Sequence, residues 1–194
     1  MIPPGDTIAT MAARRQPATW PRTATLIAAT LGYAVIQLDV TVVNVAVKQI
    51  GGSFGGGITG LQWVVSSYTL VFAALILTAG SLGDRFGAKR VLCTGFVVFV
   101  TASVVCGLSV SMGMLIAARA VQGLGAALLG SCSLALLNHA FTDPGERSRA
   151  IGKWAAGASG ALSGGPVIGG ILIALFGWRA IFFIFFMDAR ACCG

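Results

Sequence analysis

Long runs of apolar residues, separated by short polar stretches, set the architecture of this chain. The runs cover residues 24–47, 61–82, 91–108, 114–137 and 154–176. Each is close to, or above, the roughly 20 residues that carry a helix, at about 1.5 Å per residue, across a hydrocarbon core of about 30 Å. Apolar positions are continuous rather than alternating, which selects helices over barrel strands. A sixth run, residues 180–187, has only eight residues, about 12 Å if helical, and is too short to cross. The pattern predicts an all-α membrane protein with five full transmembrane helices and a sixth-helix stub, together forming a bundle over residues 24–187.

The polar stretches predict the connections. Residues 1–23 hold four prolines and three arginines (Arg14, Arg15, Arg22) and no hydrophobic periodicity, so a disordered basic tail is expected. The run that follows is longer than a signal-peptide core and contains Asp39, which favours an uncleaved first span. Residues 48–60 are glycine-rich and lack the Lys-Ser/Thr of a phosphate-cradling loop, so a flexible connection is expected. Residues 83–90 read as a charged hairpin of about eight residues joining two antiparallel neighbours, with Gly83 and Gly87 allowing close approach. Asp84 is expected there to accept backbone N–H bonds at the start of a helical turn, or to pair with a nearby arginine. A short turn at 109–113 and a polar loop at 139–153 complete the series. Residues 188–194 form an atypical tail.

Composition sharpens this picture. With 56% hydrophobic and 10% charged residues there is too little polar surface for a soluble domain. The lipid bilayer is therefore the expected environment. The net charge of +7 does not point to nucleic acid, because the basic residues cluster beside apolar runs. Arg14, Arg15, Arg22, Arg85, Lys89, Arg90, Arg147, Arg149 and Lys153 fall on one side, against Lys48 and Arg179 on the other. By the positive-inside rule the N-terminus is cytoplasmic, in the inner or plasma membrane. The five cysteines show no CxxC or His/Cys spacing, so neither a metal site nor a disulfide framework is expected. Cys93, Cys106 and Cys132 lie in apolar runs, where a thiol acts as a small hydrophobe. No nucleophile–base constellation suggests an enzyme.

Two charges lie inside the apolar runs. Asp39 and Arg119 fall at similar depth, and an isolated charge there costs several kcal/mol, so the two are expected to face the bundle interior and meet. Such a pair either serves packing alone or forms a coupled proton and substrate site, in which desolvation and the neighbouring cation compete over the carboxylate's proton. Arg119, Gln122, Gly123, Ala126 and Gly130 recur at helical spacing, placing polar and small groups on one face. Gly157, Ala161, Gly165 and Gly169 step by four, a stripe for close helix contact, and Pro166 should kink that span. Gln122, Gly123, Gly165, Pro166, Gly169 and Gly170 are the candidate helix seam.

Several stretches resemble one family. Gly80-x-Leu82-x-Asp84-Arg85-x-Gly87-x-Lys89-Arg90 is similar to the loop between the second and third helices of the major facilitator superfamily, with Ala88 where a basic residue is usual. Leu38-Asp39-Val40-Thr41-Val42-Val43-Asn44-Val45-Ala46 and Leu61-Gln62-Trp63-Val64-Val65 resemble the first two helices of its drug:proton antiporters with fourteen spans. Leu115-x-x-x-Arg119-x-x-Gln122-Gly123-x-Gly125 and Gly165-Pro166-x-x-Gly169-Gly170 resemble the fourth- and fifth-helix motifs. Ser66 stands where that subfamily often has an acidic residue.

The resemblance implies the N-terminal portion of a multidrug or small-molecule efflux transporter, driven by a proton gradient without a cofactor. It implies Asp39 and Arg119 as the coupling pair, and Gly83, Asp84, Arg85, Gly87, Lys89 and Arg90 as a conformational latch. The implied partners are a lipophilic or cationic small molecule and either a missing C-terminal half or a second copy. A chain with five spans and a stub is expected to be truncated and inactive alone. The alternative is a non-transporting membrane fragment or small subunit that only binds partner helices.

Overall fold

Five long helices account for nearly all of the computed structural model, which describes residues 21–54 and 57–183. They are α1 (Arg22–Phe54), α2 (Ile58–Phe86), α3 (Ala88–Gly107), α4 (Met112–Ala140) and α5 (Pro144–Phe176). Every one is long and apolar enough to cross a membrane. α3, with 20 residues, just matches a bilayer core of about 30 Å, and the 33 residues of α1 and α5 exceed it. Residues 180–183 begin a sixth helix. The expected basic tail before residue 21 and the ending after residue 183 lie outside the described residues. Arg22, expected in that tail, opens α1.

The connections are shorter than the sequence predicts. The charged hairpin at 83–90 is almost wholly helical. Its one non-helical residue is Gly87, whose φ of 93° needs no Cβ. Gly87 N–H donates to the Gly83 carbonyl, and its own carbonyl accepts from Val91 N–H, so it serves both helices. The cap of α3 is Gly87, without a side-chain cap hydrogen bond, so the expected capping role of Asp84 is corrected. The 139–153 loop shrinks to residues 141–143. There Asp143 accepts from Glu146 N–H at 2.8 Å, and Pro144 supplies the first helical residue.

The glycine-rich stretch 48–60 is also corrected, because helix runs through Phe54 and resumes at Ile58. Glycine disfavours helix by about 1 kcal/mol, and packing overrides it here. Ile50 is fully buried, and a Cβ on Gly51 would come within 3.0 Å of Leu61 Cδ1. Trp178 Nε1 donates to Ser53 Oγ at 2.9 Å while its ring meets Phe54 edge-on.

α4 is the hub. In its most apolar stretch 61% of residues are buried, against 17% for α5. It packs on α3, α2 and α1, whereas α5 lies chiefly on α1. At the α3–α4 crossing a Cβ on Gly125 would sit 2.7 Å from Phe99 N, and one on Gly95 would sit 2.7 Å from Leu128 Cβ. Serine hydroxyls fasten α2 to α4, with Ser131 Oγ donating to the Ile76 carbonyl at 2.7 Å and Ser67 Oγ to that of Ile116 at 3.3 Å. Such small-residue contacts and interhelical hydrogen bonds are what hold helices together where lipid removes the hydrophobic drive.

Two apolar clusters fill the interior. One gathers Val35, Ile36, Phe96, Phe99 and Leu129, the other Val42, Val43, Val64, Leu115 and Ala118. Along α1 and α4 the clusters leave a gap at residues 39 and 119–122, and the charges sit in it.

Candidate functional site

Asp39 lies near the middle of α1 and Arg119 in the third turn of α4. The crossing of those two helices brings them into direct contact. Arg119 Nη1 donates to Asp39 Oδ2 at 2.7 Å, with side-chain exposures of 1% and 0%. The same Nη1 donates to Gln122 Oε1 at 2.9 Å, and Gln122 Nε2 donates to Asp39 Oδ1 at 2.9 Å. Carboxylate, guanidinium and amide thus form a closed triangle. Arg119 Nε reaches the Val64 carbonyl at 3.4 Å. The Tyr68 ring, buried on α2, lies under the guanidinium with the Arg119 Cζ atom 4.3 Å from its centroid. Cys106 of α3 donates its thiol to Gln122 Oε1 at 3.7 Å.

The energetics explain the closure. Each buried ion costs several kcal/mol to desolvate, and the mutual attraction repays it only when the remaining polar atoms are also bonded. Both carboxylate oxygens are bonded here. Chemically, the arrangement offers a carboxylate able to take a proton or meet a cation, held by a fixed cation and a neutral amide.

Gln122 was expected in the helix seam and belongs instead to this network. Its spacing of three residues from Arg119 was the available signal, since i and i+3 share a helix face. Tyr68, Cys106 and the Val64 carbonyl were not anticipated, because they come from α2 and α3 and only the helix crossings bring them near. Cys106 is correspondingly more than a small hydrophobe. Another unanticipated contact is the Tyr33–Trp154 ring pair, with centroids 4.5 Å apart, between α1 and α5.

The remaining candidates divide. A Cβ on Gly123 would meet the Tyr68 carbonyl oxygen at 2.5 Å, so this glycine sets the α2–α4 approach. Gly165 and Gly169 are buried against α1. A Cβ on Gly165 would overlap Thr41, and one on Gly169 would reach Val42 Cγ1 at 2.9 Å. Gly157 faces Thr30 in the same way, so the α1–α5 seam follows the four-residue stripe. Gly170 has open space where a Cβ would stand and is not part of that seam. Pro166 is exposed within α5. In the proposed latch, Gly83 is buried with Cys132 Sγ 2.9 Å from an added Cβ, while Asp84, Arg85 and Arg90 are exposed. The latch residues are far along α2 and α3 from the Asp39–Arg119 pair, and the structure does not bring the two sets together.

Comparison with known proteins places this geometry. The profile described as Major Facilitator Superfamily matches residues 29–187. The Methylenomycin A resistance protein of Bacillus subtilis (strain 168) is 46% identical over 159 residues, which are 82% of this chain and 34% of that protein. The Drug efflux pump JefA of Mycobacterium tuberculosis (strain ATCC 25618 / H37Rv) is 43% identical over 161 residues, 82% of this chain and 32% of that protein. The chain spans about a third of the length of these relatives. Among solved structures, a bacterial homolog of the human lysosomal transporter Spinster, inward-facing and unoccupied, superposes with a TM-score of 0.76 at 20% identity. That match covers 88% of this chain and 41% of the other and speaks to the fold.

Proposed function

The chain belongs to the Major Facilitator Superfamily, and on that premise we propose that it supplies the first helical bundle of a proton-driven exporter of small drug-like molecules. It is a multi-pass membrane protein whose relatives are named for antibiotic resistance and drug efflux. The observation that carries the reading is the Asp39–Arg119–Gln122 triangle, a carboxylate buried at the waist of a transmembrane bundle with its charge fully matched. Intramembrane ionisable residues are costly and mark ion and substrate paths. In this reading Asp39 carries the proton or meets a cationic substrate, and Arg119 holds it between events. The resemblance of its first-, second-, fourth- and fifth-helix motifs supports reading the exporter as one of the drug:proton antiporters with fourteen spans.

Alternating access requires a second bundle closing around a central site. A C-terminal half or a second copy fills that role, meeting this bundle along the latch residues Gly83, Asp84, Arg85, Gly87, Lys89 and Arg90. The seam at Gly157, Gly165 and Gly169 keeps α5 close to α1 as the bundles rock. No cofactor enters; the proton gradient is the energy source.

Reconstituted by itself under an imposed pH gradient, the 194-residue chain is expected to give no efflux of a lipophilic cation. Joined to the second bundle of the Bacillus subtilis relative, it is expected to give efflux that Asp39→Asn abolishes. Gradient-driven efflux that survives Asp39→Asn would sink the coupling role. The basic residues set the N-terminus in the cytoplasm. On a cysteine-free background, an impermeant thiol reagent applied to intact cells should therefore label cysteines placed at Ser53 and Ser111. Labelling at Ser148 would reverse the orientation.

A further inference from the structure

We propose that Gln122 is a positioning residue whose side-chain amide ties the protonation of Asp39 to the release of Arg119. The proposal rests on Asp39 acting as the proton carrier.

The orientation of the amide is dictated by its neighbours. Oε1 accepts from Arg119 Nη1 at 2.9 Å and from the Cys106 thiol at 3.7 Å, while Nε2 donates to Asp39 Oδ1 at 2.9 Å. The reverse orientation would set amide N–H against guanidinium N–H and amide oxygen against carboxylate. A guanidinium has no acceptor, and an ionised carboxylate has no donor. With Asp39 ionised, one orientation alone is bonded.

Protonation inverts that logic. Asp39 Oδ2 faces a guanidinium donor at 2.7 Å and Oδ1 faces an amide donor at 2.9 Å. A proton added to either oxygen takes a lone-pair site at which no acceptor of the network is aimed, and a buried donor without an acceptor is penalised. A half-turn of the Gln122 amide about its last torsion presents Oε1 to a proton on Asp39 Oδ1. The same half-turn points Nε2 at Arg119 and at Cys106. The thiol sulfur accepts weakly, and the guanidinium cannot accept at all. Arg119 then loses its acceptor on Gln122 and meets an N–H there, while Asp39 Oδ2 still accepts but no longer carries the charge that held the guanidinium, and both changes favour its withdrawal. It keeps the Val64 carbonyl and the Tyr68 ring face while doing so. Tyr68 Oη is buried and without a hydrogen-bond partner among the described residues.

The surroundings leave the task to this amide. The titratable groups around Asp39 are Arg119 from α4, Tyr68 from α2, Cys106 from α3 and, further along α1, Tyr33. The charged residues of α5, Glu146, Arg147, Arg149 and Lys153, lie in its first ten residues, whereas α5 passes Thr41 and Val42 at Gly165 and Gly169. Within the triangle, Gln122 Oε1 is the acceptor that a half-turn of one side chain brings to Asp39.

Infrared difference spectra between acid and alkaline states of the purified chain in lipid nanodiscs test this without requiring transport. A carboxyl band that disappears in Asp39→Asn is expected, at the lowered frequency of a hydrogen-bonded acid. In Gln122→Met, which keeps the volume and removes the amide, that band should move to the higher frequency of an unbonded carboxyl. A second measurement uses the parent protein, so it does not depend on a variant folding. With glutamine side chains nitrogen-15 labelled, one amide band should change in step with the carboxyl band and be absent from Gln122→Met. A carboxyl band unmoved by Gln122→Met, or one that titrates with no glutamine change, overturns the proposal while leaving Asp39 a proton carrier. If no Asp39-dependent band appears at any pH, both readings fall together.

Discussion

The Asp39–Arg119–Gln122 triangle and the α1–α5 seam both join α1 to a neighbouring helix, by opposite means. The triangle joins α1 to α4 through side chains whose polar atoms satisfy one another, so it is vulnerable to removal of any member. The seam joins α1 to α5 through missing side chains, since Gly157, Gly165 and Gly169 let the helix backbones approach where a Cβ would collide. It is vulnerable to addition. In the proposed function the triangle encodes a chemical state, ionised or protonated, whereas the seam encodes only a distance. A membrane bundle can thus separate what must change during function from what must stay fixed.

The largest expected effect is loss of one charge. Arg119→Ala leaves Asp39 buried and unmatched and should cost about 3–5 kcal/mol in reversible unfolding from mixed micelles. Replacing both partners, Asp39→Leu with Arg119→Met, should restore most of that stability, because apolar pairs of similar volume often match buried ion pairs. On the proposed function, efflux by the chain joined to a second bundle should stay lost. If the double variant is as unstable as the single one, the triangle is not a self-contained unit.

The seam should respond at an intermediate level. Gly165→Ala drives a methyl into Thr41 and should cost about 1–3 kcal/mol, the usual penalty of overpacking. Combining it with Thr41→Ala should recover part of the loss, a coupling readable in a double-mutant cycle. Gly170→Ala, next to Gly169 but turned toward open space, should change stability by less than about 0.5 kcal/mol. Equal costs at 165 and 170 would erase the distinction between seam and surface. Gly87→Ala lies outside both regions and should cost about 1–3 kcal/mol, because a φ of 93° with a ψ of 122° falls outside the left-handed helical well that other residues occasionally visit. Unfolding in the same micelles measures it, and Gly87→Asn should give little relief, since asparagine is tolerated in the left-handed helical well and not at this ψ.

Much of this fold is legible in the residues, because lipid imposes one rule on every span. The five apolar runs became five helices in order, and the burial of Asp39 and Arg119 followed from the cost of charge in hydrocarbon. The connections were misjudged for a common reason. Glycines at 51 and 52 read as a break, yet helix continues because Gly51 and Ser53 are packed by Leu61 and Trp178, and charges at 85–90 read as a loop, yet Gly87 alone joins the two helices. The triangle was half legible. Its charges show in the pattern, but the direction of an amide at Gln122 and the arrival of Tyr68 and Cys106 depend on helix crossings. No spacing within one helix records those.

The one-residue joint between α2 and α3 has a mechanical consequence. A peptide unit is planar, so each residue offers the backbone two soft rotations. Gly87 spends its N–H on α2 and its carbonyl on α3, leaving no slack residue on either side. Relative movement of these two helices is confined to a universal joint with two degrees of freedom, set by the φ and ψ of Gly87. Any swing that α2 makes at this end, beyond what those two angles absorb, must be handed whole to α3.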